Sequence, residues 1–258
     1  MRKKILLVTA MCMFVTFLTA CNKPTTASNT DEPISKSGLL LEEPSMNTTY
    51  SFDSVEQLFK ALTMKDTDAY NEIRPENKEF GKLYEDTLSA FENGKIKVIV
   101  PQLEGRDMRL SDRGDGYRIS LYTSGSGTLP QIWYHYMFDD IHVMVICTYV
   151  SVLGDENVDN AKSAVELQNI IWPHLPTPEN YKQHELYGDI YEELYEDIYE
   201  KELELANGIK VKALIEELKE ITRRSVRIYH DGILIDIMTD RSVLTDEFLN
   251  SFGIAYYE

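Results

Sequence analysis

The sequence predicts an α+β domain in which antiparallel sheets built from hairpins pack against several helices. Three observations support this fold class. Short runs with alternating apolar residues are separated by turn-forming dipeptides, several other segments carry apolar residues at helical spacing, and strand and helix do not alternate regularly. The third observation argues against a doubly wound solute receptor.

Residues 1–20 have the pattern of a bacterial secretory signal. Arg2, Lys3 and Lys4 precede an apolar stretch from Ile5 to Thr19. This stretch is shorter than the roughly 20 residues needed to span a bilayer core, so cleavage fits better than permanent anchoring.

The end of this signal, Leu18-Thr19-Ala20-Cys21, resembles the lipobox of bacterial lipoproteins. The resemblance implies that the signal is removed before Cys21 and that the Cys21 thiol carries a diacylglyceryl group with acyl chains such as palmitate, with or without an amide-linked chain. Two or three chains, at about 0.8 kcal/mol per buried methylene, hold a protein on a membrane where one chain does not. The alternative is an ordinary cleavable signal with an incidental cysteine.

The sequence after the signal divides into a tether and a domain. Residues 21–48 are rich in Ser, Thr, Pro and Asn and predict a polar tether, and residues 49–258 predict a globular domain. Prolines interrupt helical structure near 173–180, so a sub-boundary there is an alternative to a single domain.

Composition limits the classes of partner. Removal of residues 1–20 takes away three basic residues and leaves 23 basic against 43 acidic ones, a net charge of −20. Nucleic acid and anionic lipid surfaces are poor partners for such a chain. The charge either attracts cations or basic peptides or serves as a soluble acidic exterior. Cys147 is the one cysteine left after Cys21, so we expect no intramolecular disulfide and a small buried side chain at Cys147.

Two helices are predicted before residue 95. Asp53 and Glu56 have the spacing of a capping box at the start of the first helix. Its apolar face consists of Phe52, Val55, Leu58, Phe59 and Leu62. The second helix covers the apolar repeat from 80 to 91 and ends at Gly94, where glycine adopts a left-handed conformation. A third helix is predicted from Val158 to Ile171.

Short strands are predicted over residues 95–100, 108–111 and 117–123. The clearest pair is Ile132–Phe138 with Ile141–Tyr149, joined by a two-residue turn. Its register places Tyr134, Tyr136, Phe138, Ile141, Val143, Val145 and Cys147 on one face and Trp133, His135, Met137, His142, Met144 and Ile146 on the other. Both faces are largely apolar, so we expect this hairpin to lie centrally in its sheet.

Two further hairpins follow from turn chemistry. A three-residue loop, Ala206-Asn207-Gly208, pairs Leu203 with Val211 and Glu204 with Lys210, whereas a two-residue loop would mix charged and apolar residues on each face. The dipeptide Asp231-Gly232 predicts a two-residue turn. A short helix that carries Phe248 and ends near Gly253 completes the domain.

Residues 187–200 form an approximate tetrapeptide repeat that predicts an amphipathic helix. Its tyrosines, spaced by four, form a stripe that we call the tyrosine stripe: Tyr187, Tyr191, Tyr195 and Tyr199. One interpretation packs the stripe against the sheet. The other is an interaction surface in which the tyrosines supply contact area and neighbouring carboxylates repel wrong partners. The spacing of the carboxylates differs from that of a calcium-binding EF-hand loop.

The sequence contains no catalytic signature among the nucleophile, metalloprotease and phosphate-loop motifs. His135 and His142 are diagonal neighbours on one sheet face and are near enough to share a metal ion. A third ligand is missing from that face, so we predict no metal site, no catalytic residues and no cofactor.

We therefore expect a lipoprotein anchored on the extracytoplasmic face of the cell membrane, whose domain binds a peptide, protein or glycan without catalysis. The alternatives are an extracytoplasmic hydrolase and a structural role in envelope assembly. The signal, the tether and the acidic domain together resemble lipoproteins of Gram-positive gut bacteria. That resemblance implies a location and no specific function.

Overall fold

The structure is a computed structural model that describes residues 47–63, 88–105, 107–113, 118–124, 129, 131–173, 175–181, 194–219 and 223–257. The signal, Cys21, nearly all of the tether and the first two tyrosines of the tyrosine stripe lie outside these residues. Strand β1 begins at Asn47, inside the segment predicted as tether.

The described residues form one large antiparallel sheet and a small second sheet. Nine described strands belong to the large sheet, in which β3 pairs with β5 and the others follow the order β1-β4-β5-β6-β10-β9-β8-β7. These strands are β1 Asn47–Phe52, β3 Arg109–Leu110, β4 Ile119–Ser124, β5 Gln131–Phe138, β6 Ile141–Tyr149, β7 Tyr195–Glu204, β8 Lys210–Leu218, β9 Arg223–His230 and β10 Ile233–Asp240. In the small sheet, β2 Ile99–Leu103 pairs with β11 Phe252–Tyr256.

Helices are few and short in the described part of the chain. They are α1 Val55–Thr63, α2 Glu156–Asn160, α3 Ala164–Ile171 and α4 Asp246–Ser251, with a 3-10 turn at Val150–Leu153 and helical residues at 88–92. The predicted α+β domain with several packed helices was therefore wrong, because a large antiparallel sheet dominates the described residues. Much of the error comes from the helix predicted over 187–200, since its residues 195–200 belong to strand β7.

The large sheet has an apolar core on each face. On the first face, β5, β6 and β10 pack with α1, α4 and the small sheet, and the fully buried residues include Tyr134, Val145 and Ile235. On the second face, α2 and α3 cover the strands around Leu214 and Leu234. A separate small cluster on the second face consists of Trp133, Met144 and Ile146.

Every described strand pair in both sheets is antiparallel, which suits a sheet built from sequential hairpins.

All three predicted hairpin registers are confirmed. Tyr134 pairs with Val145 in the central hairpin, whose strands are the third and fourth along the strand order. Leu203 pairs with Val211 across the three-residue loop, in which Gly208 has φ +79°. Ile235 pairs with Ile228, and both turn residues, Asp231 and Gly232, have positive φ, as a type I′ turn requires.

The predicted helices are confirmed in part. Helix α1 buries its predicted apolar face, but its cap lies one residue later than expected, because Ser54 Oγ accepts from Gln57 N–H. Gly94 ends the helical residues 88–92 with φ +66°, as predicted. The segment Val158–Ile171 divides into two helices, since Ser163 accepts a hydrogen bond from Glu166 N–H and starts α3. The strand β11 was not predicted.

Candidate functional site

Two residues of the tyrosine stripe lie in β7, and they do not form a joint exposed surface. Tyr195 is 3% exposed and belongs to the second-face core beneath α3. Tyr199 is partly buried on the opposite face, because a β-bulge at Tyr195/Asp197 shifts the alternation of side chains along β7 by one residue. Tyr187 and Tyr191 lie outside the described residues, as does the predicted lipidation site Cys21.

Tyr199 is held by a cluster of charged side chains. Its hydroxyl accepts a hydrogen bond from Arg224 at 2.6 Å and donates one to Glu217 at 3.1 Å. Burial raises the pKa of Tyr199, and the Arg224 charge partly offsets this effect. Arg241 also bonds Glu217, and it contacts the exposed carboxylate of Glu196 at 2.8 Å. The hydroxyl is thus occupied within the domain and is not presented to a ligand.

A second charged cluster lies on the second face, where β8, β9 and β10 are adjacent. Arg227 on β9 bonds Asp236 on β10 at 2.6 Å and Glu216 on β8 at 2.8 Å. Gln168 of α3 accepts a third bond from Arg227 at 2.8 Å. Ser225 donates to the other oxygen of Glu216 at 2.7 Å. The arrangement places one cation between two carboxylates beneath a helix.

This carboxylate pair is engaged with arginine and is not open to solvent chemistry. Glu216 is 3% exposed, and burial raises the pKa of the Asp236 carboxyl while Arg227 acts in the opposite direction. A general acid or base needs access to a substrate proton within hydrogen-bond reach. Both oxygens of Glu216 and one oxygen of Asp236 accept hydrogen bonds from Arg227 or Ser225, so the cluster joins β8, β9 and β10 to one another and to α3.

The histidines predicted as diagonal neighbours are in direct contact. His135 Nδ1 lies 3.0 Å from His142 Nε2, and the ring centroids are 5.2 Å apart with planes 11° from parallel. Burial, and secondly the approach of His142, lower the pKa of His135 to about 4. The His135 ring is therefore neutral at neutral pH, and a single shared proton lies in the hydrogen bond between the two facing nitrogens.

Apolar and sulfur-containing side chains surround this histidine pair. Met144 is the cross-strand partner of His135, and Met137 is the partner of His142. Met238 pairs with Met144 on the far side and packs with the cluster of Trp133, Met144 and Ile146. The Trp133 ring centroid lies 6.2 Å from that of His135.

The remaining candidate nucleophile is inert. Cys147 is fully buried opposite Ile235, and burial raises the pKa of its thiol far above its usual range. Within the described ranges there is no group of three or more His, Cys, Asp or Glu side chains placed to hold a metal ion. None of the helices in these ranges is long and apolar enough to cross a membrane.

Sequence reasoning found the histidine pair and missed the arginine clusters. One signal was available, because the confirmed Asp231-Gly232 register sets the cation of Arg227 directly opposite the carboxylate of Asp236. The second partner, Glu216, depends on the pairing of β8 with β9, which no local turn motif indicated.

Comparisons of this chain with protein-family models, with curated proteins and with solved structures gave no match.

Proposed function

We propose that this chain is a lipoprotein anchored by Cys21 on the extracytoplasmic face of the cell membrane, with a domain that binds a ligand without catalysis. The observation that carries the location is the sequence itself, in which Cys21 directly follows Leu18-Thr19-Ala20 at the end of an apolar signal. Acyl chains on Cys21 would hold the domain at the membrane, and the polar tether would separate the two.

The arrangement of polar groups supports binding over catalysis. A covalent or acid–base mechanism needs a nucleophile or carboxylate that is both activated and accessible. The described candidates are engaged elsewhere, since Cys147 is buried, Glu216 and Asp236 bond Arg227, and His135 bonds His142. The acidic composition favours cations, basic peptides or uncharged cell-wall fragments over polyanions as ligands.

The location is tested by expressing the full-length protein in a Gram-positive host and following it by cell fractionation, palmitate labelling and protease treatment of intact cells. Wild type is expected in the membrane fraction, labelled and protease-accessible. Cys21→Ala is expected to lose the label and leave the membrane. Cys12→Ala is the matched control, because this cysteine lies within the apolar stretch and not at its end. Equal membrane retention and labelling of both variants would exclude anchoring through Cys21.

The binding role is tested by a thermal-shift screen of the purified protein against divalent metals, cell-wall fragments, glycans and basic peptides. A ligand present at about 100 times its Kd stabilises the folded state by about 2.7 kcal/mol, which gives a measurable rise in Tm. We expect one ligand class to raise Tm and to be recovered chemically unchanged. Recovery of cleaved ligand would instead indicate a hydrolase.

A further inference from the structure

We propose that His135 and His142, together with the neighbouring methionines, form a binding site for the soft monovalent ion Cu(I). This inference goes beyond the proposed function and does not depend on it, since the site lies wholly within the described sheet. It also revises the expectation of no metal site, which depended on the absence of a third ligand from that sheet face. Thioether sulfur supplies it.

The facing nitrogens of the two histidines point directly at each other. The rings are 11° from parallel, and their centroids are separated by 5.2 Å while the facing nitrogens are 3.0 Å apart. The centroid separation is almost as large as this nitrogen distance allows, so the rings lie edge to edge. The lone pair of one nitrogen therefore points at the other nitrogen, and an ion that replaced the shared proton would be coordinated from opposite sides.

This geometry discriminates between metals. A tetrahedral ion such as Zn²⁺ needs ligands that converge on it at wide angles from four directions, with four donors or three donors and a water. Two imidazole nitrogens on opposite sides of an ion suit a metal that binds two ligands strongly and further ligands weakly. Cu(I) accepts imidazole nitrogen and is selected by soft thioether ligands.

Methionines lie beside both histidines on the sheet. Met144 and Met137 are the direct cross-strand partners of the two histidines and lie on the same sheet face. Met238 follows on the next strand, beside Met144. Directly opposed residues on one face of a sheet have Cβ atoms about 5 Å apart, which places the flexible methionine side chains within reach of an ion between the rings.

The surroundings of the histidine pair are apolar and largely buried. His135 is 5% exposed, and Trp133, Met144 and Ile146 form the adjoining apolar cluster. A neutral ligand set in apolar surroundings favours a monovalent ion over a divalent one, because less charge is buried. The surrounding apolar shell also controls solvent access and so favours the reduced form of the metal.

Binding requires a small opening of the pair. Metal–nitrogen bonds are about 2 Å long, so the two nitrogens must separate to about 4 Å. His142 can provide this movement, because it is partly exposed and is the second residue after the Asp139-Asp140 turn. When the ion takes the place of the shared proton, that proton moves to the other nitrogen of the ring that donated it, so each imidazole is neutral and carries one N–H.

The test is an anaerobic Cu(I) titration of the full-length protein in detergent, in competition with a chromogenic Cu(I) chelator. Because thiolates also bind Cu(I), the chain carries Cys12→Ala and Cys21→Ala in all samples, which leaves the buried Cys147. One equivalent of Cu(I) is expected to bind. His142→Gln should weaken binding by about 100-fold or more, beyond the 10- to 100-fold cost of losing an outer-shell partner. Met144→Leu, which conserves side-chain volume, should weaken it about tenfold.

The matched control is His230→Gln, which removes a partly exposed histidine at the end of β9 and should bind Cu(I) like the parent. Equal affinity of the parent and His142→Gln, or binding of Zn²⁺ as tight as that of Cu(I), would overturn the proposal. If His142→Gln does not fold, X-ray absorption spectroscopy of copper bound to the parent protein identifies the coordinating atoms and decides the question. Two imidazole nitrogens with sulfur support the site, and a shell of oxygen ligands contradicts it.

Discussion

Arg227 donates a hydrogen bond from Nε to the carboxylate of Asp236 at 2.6 Å, across neighbouring strands of the large sheet. Glu216 bonds the same guanidinium from the other side. Removal of one member of a buried ion pair leaves an uncompensated charge and costs about 3–5 kcal/mol.

Arg227→Met is therefore expected to lower the free energy of unfolding by about 3–5 kcal/mol, since Glu216 and Asp236 lose their shared cation. Urea denaturation measures the change. Lys201→Met is the control, because the Lys201–Asp246 pair is exposed and pairs of that kind contribute about 0–1 kcal/mol. A loss no greater than that of Lys201→Met would show that the cluster adds nothing to stability.

Alanine substitutions at two turn glycines allow the cost of backbone strain to be measured apart from the cost of steric crowding. Gly208 and Gly232 have nearly the same φ, +79° and +78°. A Cβ at Gly208 meets nothing within 4 Å, whereas a Cβ at Gly232 lies 2.6 Å from the Cβ of Ser151. We expect Gly208→Ala to cost about 1–2 kcal/mol from the left-handed backbone alone.

Gly232→Ala should cost about 1–3 kcal/mol more than Gly208→Ala, because the new methyl group is forced against the side chain of Ser151. The measurement is the midpoint of chemical denaturation of both variants. Ser151→Gly in the Gly232→Ala background should restore part of the difference. Equal costs at the two glycines would contradict the close approach of Ser151.

Two buried tyrosines connect the large sheet to the small one through the backbone of Ile99. The Tyr134 hydroxyl donates to the Ile99 carbonyl at 2.5 Å, and the Tyr149 hydroxyl accepts from the Ile99 amide at 3.3 Å. Tyr134→Phe leaves a buried carbonyl without this donor and should cost about 1–3 kcal/mol. Tyr256→Phe, which removes an exposed bond to Asp231, should change unfolding by a few tenths of a kcal/mol at most. Similar losses in the two variants would show that the Ile99 contact is not maintained in solution.

Cys147 should resist alkylation in the folded protein. Burial raises the pKa of its thiol, so the reactive thiolate is scarce at neutral pH. Peptide mass spectrometry after iodoacetamide treatment should find Cys147 unmodified under native conditions and fully modified in urea. Rapid modification of the folded protein would mean that the first-face core opens readily.

Local chemistry accounts for what the sequence predicted well. The turns at Asp139-Asp140, Gly208 and Asp231-Gly232 all have positive φ, and each fixes the register of the strands beside it. The contact between His135 and His142 follows from the first of these registers. Non-local features were missed, because nothing near β1, β2 or β11 in the sequence indicates their partner strands.

The tyrosine stripe misled for a physical reason. Residues spaced by four share one face of a helix. They also share one face of a regular strand, since side chains alternate between faces and four is a multiple of two. Tyr195 and Tyr199 would then share a face of β7, and the β-bulge between them places them on opposite faces. A bulge is not specified by residue spacing, so the sequence pattern alone could not place these two side chains.

The claim that the domain is held at the membrane by lipid on Cys21 is tested most directly by the intact mass and N-terminal peptide mass of the protein purified from membranes. The account predicts a chain that begins at Cys21 and carries the added mass of a diacylglyceryl group on that residue. A chain that begins at Met1, or one with an unmodified Cys21, would contradict it.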